Sequence, residues 1–438
     1  MRKIMMYILI GFLILIMLSV VVRIGTWNIL IKRLKMDNGF TRTVFFDAGD
    51  ISSNEDIVRI PFNAKQEYPF TKNKSSLAID IFSAPEEAER VEESDKTTIV
   101  GKVKRHINFF LEDRFLPYNA AVNLALIYEG YLKWTVNENA ILIGNNYWIL
   151  PHEQIPIDEH IASINNFSQF LQTNNVSLLY ISHPPKTSPE IVYNFTDWSN
   201  KNIDALVAGL KNYGIPYIDL RENILTEDRD WHSLFYNTDH HWRAESGLWA
   251  SKIIADKLNS EFGFDLDTSL LNLQNYNYKV YENWFLGSIG KKVGHYLAKP
   301  DDFTLITPKF ETKFDVWRTI NSRFATKEEN IPFDSVFIDF NPFIKKDFYN
   351  SNTYGAYCFG DNLGFYHNKL NMNGKKILFL EDSNTNVIIP FFAIINEYII
   401  SWDLRHFDGS LETLIKKEMP DIVVISYFSL DKKLFDFR

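Results

Sequence analysis

Apolar segments of strand length alternate with segments of helix type along much of this chain, and this order constrains the fold most. The first strand-type run of the alternation covers residues 176–182 (VSLLYIS), and the last covers residues 421–427 (DIVVISY). Strands separated by helices usually lie parallel in one sheet, with the helices packed on both faces. The sequence therefore predicts an α/β fold built on a parallel sheet flanked by helices.

The other predicted elements follow from local composition. Residues 140–150 predict a hairpin, because Gly144-Asn145 supplies turn residues between two apolar runs. Further strands are predicted at residues 215–220, 376–380 and 399–404, and helices at residues 106–132, 155–173, 200–213, 245–258, 384–398 and 411–418.

The alternation pauses in an irregular, aromatic and turn-rich block, which predicts an insertion within one sheet domain. Five parts are thus predicted: a signal anchor at 1–23, a membrane-proximal linker region at 24–100, the first part of the sheet domain at 101–258, the insertion at 259–374, and the second part at 375–438.

The N-terminal apolar segment predicts the location. Residues 4–22 carry no charge, and about 20 apolar residues suffice for a helix to cross the hydrocarbon core. Arg23 follows directly, without the small residues of a cleavage site, so we expect an uncleaved transmembrane helix, with a cleaved signal peptide as the alternative. Long domains are translocated largely regardless of nearby charge. The body of the protein is therefore expected outside the cytoplasm, at the cell membrane.

Composition excludes several other classes. The formal net charge of the 438 residues is -9 and no long basic run occurs in the body, which argues against nucleic acid as a partner. The single cysteine, Cys358, allows neither an intramolecular disulfide nor a cysteine-based metal site. A hydrophobic share of 46% is typical of a globular protein.

Ser383 is the candidate nucleophile. It directly follows the predicted strand at 376–380 and precedes a predicted helix, so its side chain is expected at the carboxyl edge of the sheet, where ligands bind in such folds. The backbone N–H of Asn384, at the start of that helix, could then stabilise an oxyanion. The alternative is structural, because Asp382 and Ser383 are both good helix N-caps.

Asp239 and His241 are the candidate partners of this serine. Residues two apart on an extended segment point to the same side, so the carboxylate would orient the imidazole and His241 would accept the serine proton. His240 is expected on the opposite face in a packing role. Trp242 and Trp249 are expected in the core or in a cleft wall.

A metal site is the competing interpretation of the same segment. Asp239, His240 and His241 could be ligands, with Asp219 as the one obvious additional carboxylate. Metal phosphoesterase sites need several further carboxylates at separate strand ends. We therefore predict no metal and no cofactor.

The sequence resembles the DHHW proteins, which are related to the alginate O-acetyltransferase accessory proteins of the SGNH-hydrolase-like superfamily. The segment TDHHW at Thr238–Trp242 carries the resemblance, which extends from about residue 100 to the C-terminus. The supporting segments occur in order: ILIGNNYWIL, LLYISHPPK with Lys186, WFLGSIGKKVG, LFLEDSNTNVIIPFFA and SWDLRHF. Since the Asp-His pair precedes the serine, the resemblance implies an SGNH-hydrolase-like sheet with a circularly permuted motif order.

The resemblance also implies residue roles. Ser383 would be the nucleophile, His241 the base and Asp239 the group that orients the base. Arg405 lies where an active-site arginine is expected and would contact the acyl oxygen or the polymer. The alternative for Arg405 is a salt bridge at the edge of the sheet.

Three neighbouring positions are less specific. Gly360 and Asn362, in FGDNLG, are candidates for an oxyanion loop, and the alternative is a simple turn. Glu381 stands where the family often has a lysine. A second carboxylate facing the site would disfavour a developing oxyanion.

The function implied is an extracytoplasmic, membrane-anchored O-acetyltransferase or acetylesterase that modifies a cell-surface polysaccharide. The expected acetyl donor is a membrane-embedded acyltransferase. The alternative is a glycan-binding or scaffold component that does not catalyse, with a sugar platform formed by Trp231, Trp242, Trp249 and Trp284.

Overall fold

The computed structural model describes residues 140–144, 146–320, 324–360, 363–406 and 410–437. The predicted anchor, the linker region and the predicted helix at 106–132 lie outside these ranges. Within the described ranges, no helix is both long enough and apolar enough to cross a membrane.

An eight-stranded sheet forms the centre of the fold, in the order β4-β3-β12-β10-β11-β9-β7-β8. The strands β1–β2 and β5–β6 form two separate antiparallel pairs. The strand bounds are β1 Ile141–Ile143, β2 Tyr147–Ile149, β3 Ser177–Ser182, β4 Tyr217–Asp219, β5 Tyr276–Phe285, β6 Asp301–Pro308, β7 Phe314–Ile320, β8 Phe324–Ile331, β9 Gly364–Asn368, β10 Lys376–Glu381, β11 Tyr398–Trp402 and β12 Ile422–Tyr427.

The sheet is parallel only in part. Strands β4, β3, β12, β10 and β11 run parallel, whereas β9, β7 and β8 continue the sheet with antiparallel pairs. The prediction of a parallel sheet was therefore wrong at this edge. Three strands from the range 259–374 extend the sheet. Strand β9 pairs with β11, with His367 opposite Tyr398, and β7 and β8 follow outward. The domain boundaries drawn from the sequence remain predictions.

Helices cover both faces of the sheet. Apolar residues of β10 alternate between two cores: Ile377 and Phe379 face one, and Leu378 and Leu380 the other, as expected for a strand buried on both faces. The helices are α1 Asp158–Thr173, α2 Ser199–Asn212, α3 Leu220–Thr226, α4 Ala244–Phe262, α5 Ser288–Val293, α6 Phe333–Phe337, α7 Ile389–Ile395 and α8 Leu411–Glu418. Apolar residues of α1, α2 and α8 contribute to one core, and those of α3, α4, α6 and α7 to the other.

The segment after β10 differs from its prediction. One helix was expected at residues 384–398, but a five-residue 3-10 helix, Ser383–Val387, precedes the short helix α7. Pro390 lies at the start of α7, where its missing N–H costs no hydrogen bond. The helix ends at Ile395, and β11 begins at Tyr398. The further 3-10 helices are His232–Leu234, Thr268–Leu271, Leu273–Asn275, Asn341–Phe343, Tyr354–Ala356 and Lys432–Phe435.

Candidate active site

The carboxyl ends of the parallel strands meet at one edge of the sheet, and Ser383 lies there, two residues after β10. His241 reaches the same point from the loop before α4. Its Nε2 lies 2.8 Å from the Oγ of Ser383. The structure thus brings together two residues that are 142 positions apart in the chain.

Asp239 contacts the other nitrogen of this imidazole. Its Oδ1 accepts a hydrogen bond from the Nδ1 of His241 and a second one, at 2.9 Å, from the backbone N–H of His241. Its Oδ2 accepts from the backbone N–H of Ser288. With a proton held on Nδ1, Nε2 is left as the acceptor for the serine hydroxyl.

The buried Asp239 carboxyl is held in its charged form. Burial alone raises its pKa, but the charges of His241 and His240 and the hydrogen bonds from His241 lower the pKa well below its usual range. A carboxylate that stays ionised can stabilise the imidazolium formed when His241 takes a proton.

The Asp-His segment is a turn and not the extended segment that was predicted. An antiparallel bridge between Phe235 and Trp242 closes it, and the N–H of Tyr236 donates to the carbonyl oxygen of His241 at 3.2 Å. Asp239 and His241 still meet, because the carboxylate binds the backbone N–H two residues on, as aspartate often does in turns.

The expected place of His240 was wrong for the same reason. In a turn its ring is not directed to the opposite face: the ring centroids of His240 and His241 are 3.8 Å apart. The Nδ1 of His240 lies 3.0 Å from the Oγ of Ser288, and 40% of the side chain is exposed. His240 therefore borders the site beside the candidate base.

The turn that carries Ser383 is fixed by Asp382. Its Oδ1 accepts from the N–H of Asn384 at 3.1 Å, and its Oδ2 accepts from the N–H groups of Phe428 and Ser429, both at 2.7 Å. Asp382 is thus the N-cap, and Ser383 is directed to His241 instead. The N–H of Asn384, proposed from the sequence as an oxyanion donor, is already hydrogen-bonded to this carboxyl.

The less specific candidates fall in different places. Arg405 forms an ion pair with Asp403, with its Nε 3.0 Å from Oδ1, so the predicted salt bridge is present, while contact with a substrate stays a prediction. Gly360 has a φ of 83° in the loop before β9, as either a turn or an oxyanion loop requires. Asn362 lies outside the described residues. Glu381 is buried and accepts a hydrogen bond from the Oγ of Ser401.

Four residues that contact Asp239 or His241 were not assigned to the site from the sequence: Tyr354, Ser288, Gly287 and Lys186. Tyr354 stacks on His241 with ring centroids 3.8 Å apart, and no sequence signal pointed to it. Ser288 binds Asp239 and His240, and the preceding Gly287 has no room for a side chain, since a Cβ there would lie 2.3 Å from the Cβ of Asp239. Both belong to the WFLGSIGKKVG segment, and Lys186 belongs to LLYISHPPK; these two motifs carried the available signal.

The metal interpretation finds little support in these contacts. Asp239, His240 and His241 do offer ligand atoms within 4.8 Å of one another. Both ring nitrogens of His241, however, are engaged by Asp239 and Ser383. Asp219, the expected fourth ligand, caps α3 and pairs with Arg221 at 2.7 Å instead. The donor set fits a hydrogen-bonded Ser-His-Asp array better than a metal centre.

The proposed sugar platform of four tryptophans is wrong for two of them. Trp231 and Trp242 are buried, with 5% and 1% exposure, and donate to the carbonyl oxygens of Pro185 and Asn384. Trp249 and Trp284 are only partly buried.

A largely parallel sheet between helices carries the Ser-His-Asp array at the carboxyl ends of its parallel strands. Residues 141–281 match the family model of the SGNH hydrolase-like domain of the acetyltransferase AlgX. None of the curated proteins matches the chain.

Solved structures share this fold. A DHHW family protein from Eubacterium siraeum is 17% identical, with a TM-score of 0.51, over 67% of this chain and 93% of that chain. Bacillus cereus PatB1 is 20% identical, with a TM-score of 0.57, over 68% of this chain and 100% of that chain. The resemblance to DHHW and alginate O-acetylation proteins that was predicted from the sequence is thereby confirmed.

Proposed function

We propose that this protein is a serine O-acetyltransferase or acetylesterase that acts on a cell-surface polysaccharide. The carrying observation is the 2.8 Å contact between the Oγ of Ser383 and the Nε2 of His241, whose Nδ1 is bonded to Asp239. The family model matched by residues 141–281 describes an acetyltransferase domain, which supports acyl transfer. The proposal includes a circularly permuted order of the motifs, in which Asp239 and His241 precede Ser383 in the chain.

The reaction proceeds in two steps. The Ser383 hydroxyl attacks the acetyl carbonyl while His241 takes its proton, and the leaving group departs with that proton, which leaves an acetyl ester on Ser383. A sugar hydroxyl, or water, then attacks this ester while His241 accepts its proton; the acetyl group passes to the acceptor oxygen, and His241 returns the proton to the departing oxygen of Ser383. Asp239 stabilises the imidazolium in both steps and is not itself protonated.

The location and the donor belong to the same proposal. Residues 4–22 would anchor the chain with its catalytic body outside the cytoplasm, beside a membrane-embedded acyltransferase that supplies acetyl groups. Arg405, Gly360 and Asn362 are proposed near the acyl oxygen. Protease treatment of intact protoplasts tests the location: the body should be cut, and complete protection would place it inside.

Turnover of 4-nitrophenyl acetate by the full chain in detergent tests the chemistry. Ser383→Ala should abolish both turnover and the mass increase of one acetyl group, because the covalent ester cannot form. Ser260→Ala, at an exposed position on α4, is the control and should keep both. Turnover that survives in Ser383→Ala would identify another nucleophile. Absent turnover in the folded wild type, with glycan binding unchanged in Ser383→Ala, would favour the non-catalytic alternative.

A further inference from the structure

Lys186, in the loop that follows β3, places a buried ammonium group against the backbone of the Asp-His turn. Its Nζ donates to the carbonyl oxygens of Tyr236 and Asp239 at 2.7 Å each and to that of Asn237 at 3.2 Å. A further bond at 2.7 Å reaches the carbonyl oxygen of Trp148 in β2. Three of the four acceptors therefore belong to the four residues that end at the candidate catalytic aspartate.

Asp301, the first residue of β6, binds the N–H groups of the same turn through its carboxylate. Its Oδ1 accepts from the backbone N–H and the side-chain amide of Asn237, both at 2.8 Å. Its Oδ2 accepts from the backbone N–H of Thr238 at 2.8 Å and from its hydroxyl at 2.7 Å. Lys186 thus holds the carbonyl groups of the turn, and Asp301 holds its amide groups.

These two charges are costly unless the turn is in place. Lys186 is 6% exposed and Asp301 3% exposed, and burying an uncompensated charge costs several kcal/mol. The acceptors of Lys186 are all backbone carbonyls, so its stabilisation depends on the turn conformation. A turn that loosened would leave both charges without these partners. Burial lowers the pKa of Lys186 to about 7, as expected for an ammonium group removed from water.

We propose that Lys186 and Asp301, called the charged pair below, are positioning residues that fix the turn so that Asp239 can orient His241. The inference rests on the proposed function for its kinetic part, but the Asp239–His241 hydrogen bond can be observed without turnover. Within the described residues, the hydrogen bonds of Lys186 and Asp301 go to the turn and to β2 and not to Ser383, so we infer that the charged pair acts through the turn.

Lys186→Met and Asp301→Asn test the proposal. Each removes one charge and keeps most of the side-chain volume. We expect kcat for 4-nitrophenyl acetate to fall about 10- to 100-fold with KM nearly unchanged, because the base is misplaced while the substrate surface remains. In the proton NMR spectrum, the low-field signal of the His241 Nδ1–H should shift or broaden.

Lys376→Met is the matched control. Lys376 is also buried, and its Nζ donates to the carbonyl oxygen of Glu418 at 2.7 Å and lies 3.1 Å from its carboxylate, at the opposite edge of the sheet. Its loss should lower stability and leave kcat and the low-field signal unchanged. If Lys186→Met and Asp301→Asn behave like this control, the charged pair is structural only and the proposal is wrong.

Thr238 provides a milder test should the charge variants fail to fold. Thr238→Val removes the hydroxyl that donates to Asp301 and accepts from the N–H of Gly287, without changing any charge. We expect a smaller fall in kcat and a smaller shift of the low-field signal, both reversed by Thr238→Ser. An inactive wild type would overturn the proposed function, whereas the NMR signal would still decide whether the charged pair positions His241.

Discussion

The two halves of the candidate triad are held in place by different forces. The turn with Asp239 and His241 is held by two buried ionisable side chains of opposite sign, Lys186 and Asp301, which bind backbone groups. The turn with Ser383 is held by one buried carboxyl, Asp382, and by neutral contacts: the Thr385 hydroxyl lies 2.9 Å from both oxygens of Ser426, and Gly247 packs against the 3-10 helix. The turn of the candidate base is therefore held by groups of both signs, and the turn of the candidate nucleophile by one carboxyl together with neutral contacts.

The two turns should therefore respond differently to changes of charge and to loss of a neutral hydrogen bond. A buried charge that loses its partners leaves a large penalty, whereas a lost neutral hydrogen bond costs about 1–3 kcal/mol. In the Asp-His turn, changes of charge or of close packing should thus lower kcat. In the serine turn, loss of the Thr385 hydroxyl should lower mainly the unfolding free energy.

The largest effect is expected from Asp239→Asn. The amide cannot hold the proton on Nδ1 as the carboxylate does, so kcat should fall about 10⁴-fold. Asp219→Asn is the control, since Asp219 is equally buried at the same edge of the sheet but pairs with Arg221. It should lower the unfolding free energy and keep turnover. Esterase assays and urea unfolding of both variants decide; equal loss of turnover would remove the special role of Asp239.

Gly287→Ala should come next. The added Cβ would lie 2.3 Å from the Cβ of Asp239 and 2.6 Å from the carbonyl oxygen of Thr238, so either the Asp-His turn or the segment at Gly287 must move. A displacement near 1 Å can cost about 100-fold in kcat/KM. Gly209→Ala crowds Ile161 on the other side of the molecule at 2.5 Å and should reduce stability by about 1–3 kcal/mol with full activity. Full activity in Gly287→Ala would contradict the close packing.

Thr385→Val probes the neutral contacts of the turn that carries Ser383. The variant removes the hydroxyl that binds Ser426 and should lower the unfolding free energy by about 1–3 kcal/mol. We expect kcat to change less than about tenfold, because the other contacts of the serine turn remain. Thr385→Ser should restore stability. A loss of kcat as large as that of Asp239→Asn would remove the contrast between the two halves.

The last prediction concerns stability and not turnover: burial raises the pKa of Asp382 to about 6 from 3.8. Between these two values the folded protein binds a proton that the unfolded chain has released. The unfolding free energy should therefore fall as the pH rises through this window, by up to about 3 kcal/mol in total. Urea unfolding from pH 4 to pH 7 should show this slope in the wild type and not in Asp382→Asn; parallel curves would exclude it.

The sequence predicted the parts of the fold in which local pattern and burial agree. Helix α8 matches its predicted bounds, and β3, β10 and β12 agree within one residue, because buried strands are continuous apolar runs. Strands β7 to β9 were missed because polar and aromatic residues alternate irregularly in them. Only β9 pairs with β11, and β7 joins through β9, so their place in the sheet depends on contacts distant in the chain.

The sequence predicted only those site residues that lie in recognisable motifs. Ser383, His241 and Asp239 meet as expected, whereas the place of His240 depends on a turn that no propensity indicated. The contacts of Lys186 and Asp301 with backbone groups cannot be read from residue types, since any buried polar residue needs partners and the sequence does not say which.

The strand order has a consequence for how the protein is made. Strand β3 pairs with β12, and β10 lies between β12 and β11, so the middle of the sheet consists of the last strands to leave the ribosome among those described. A growing chain that carries the Asp-His turn must wait for some 200 residues of synthesis, from β4 to β12, before its sheet can close. Ser383 and His241 are therefore expected to meet only late in folding, once β12 has paired with both β3 and β10.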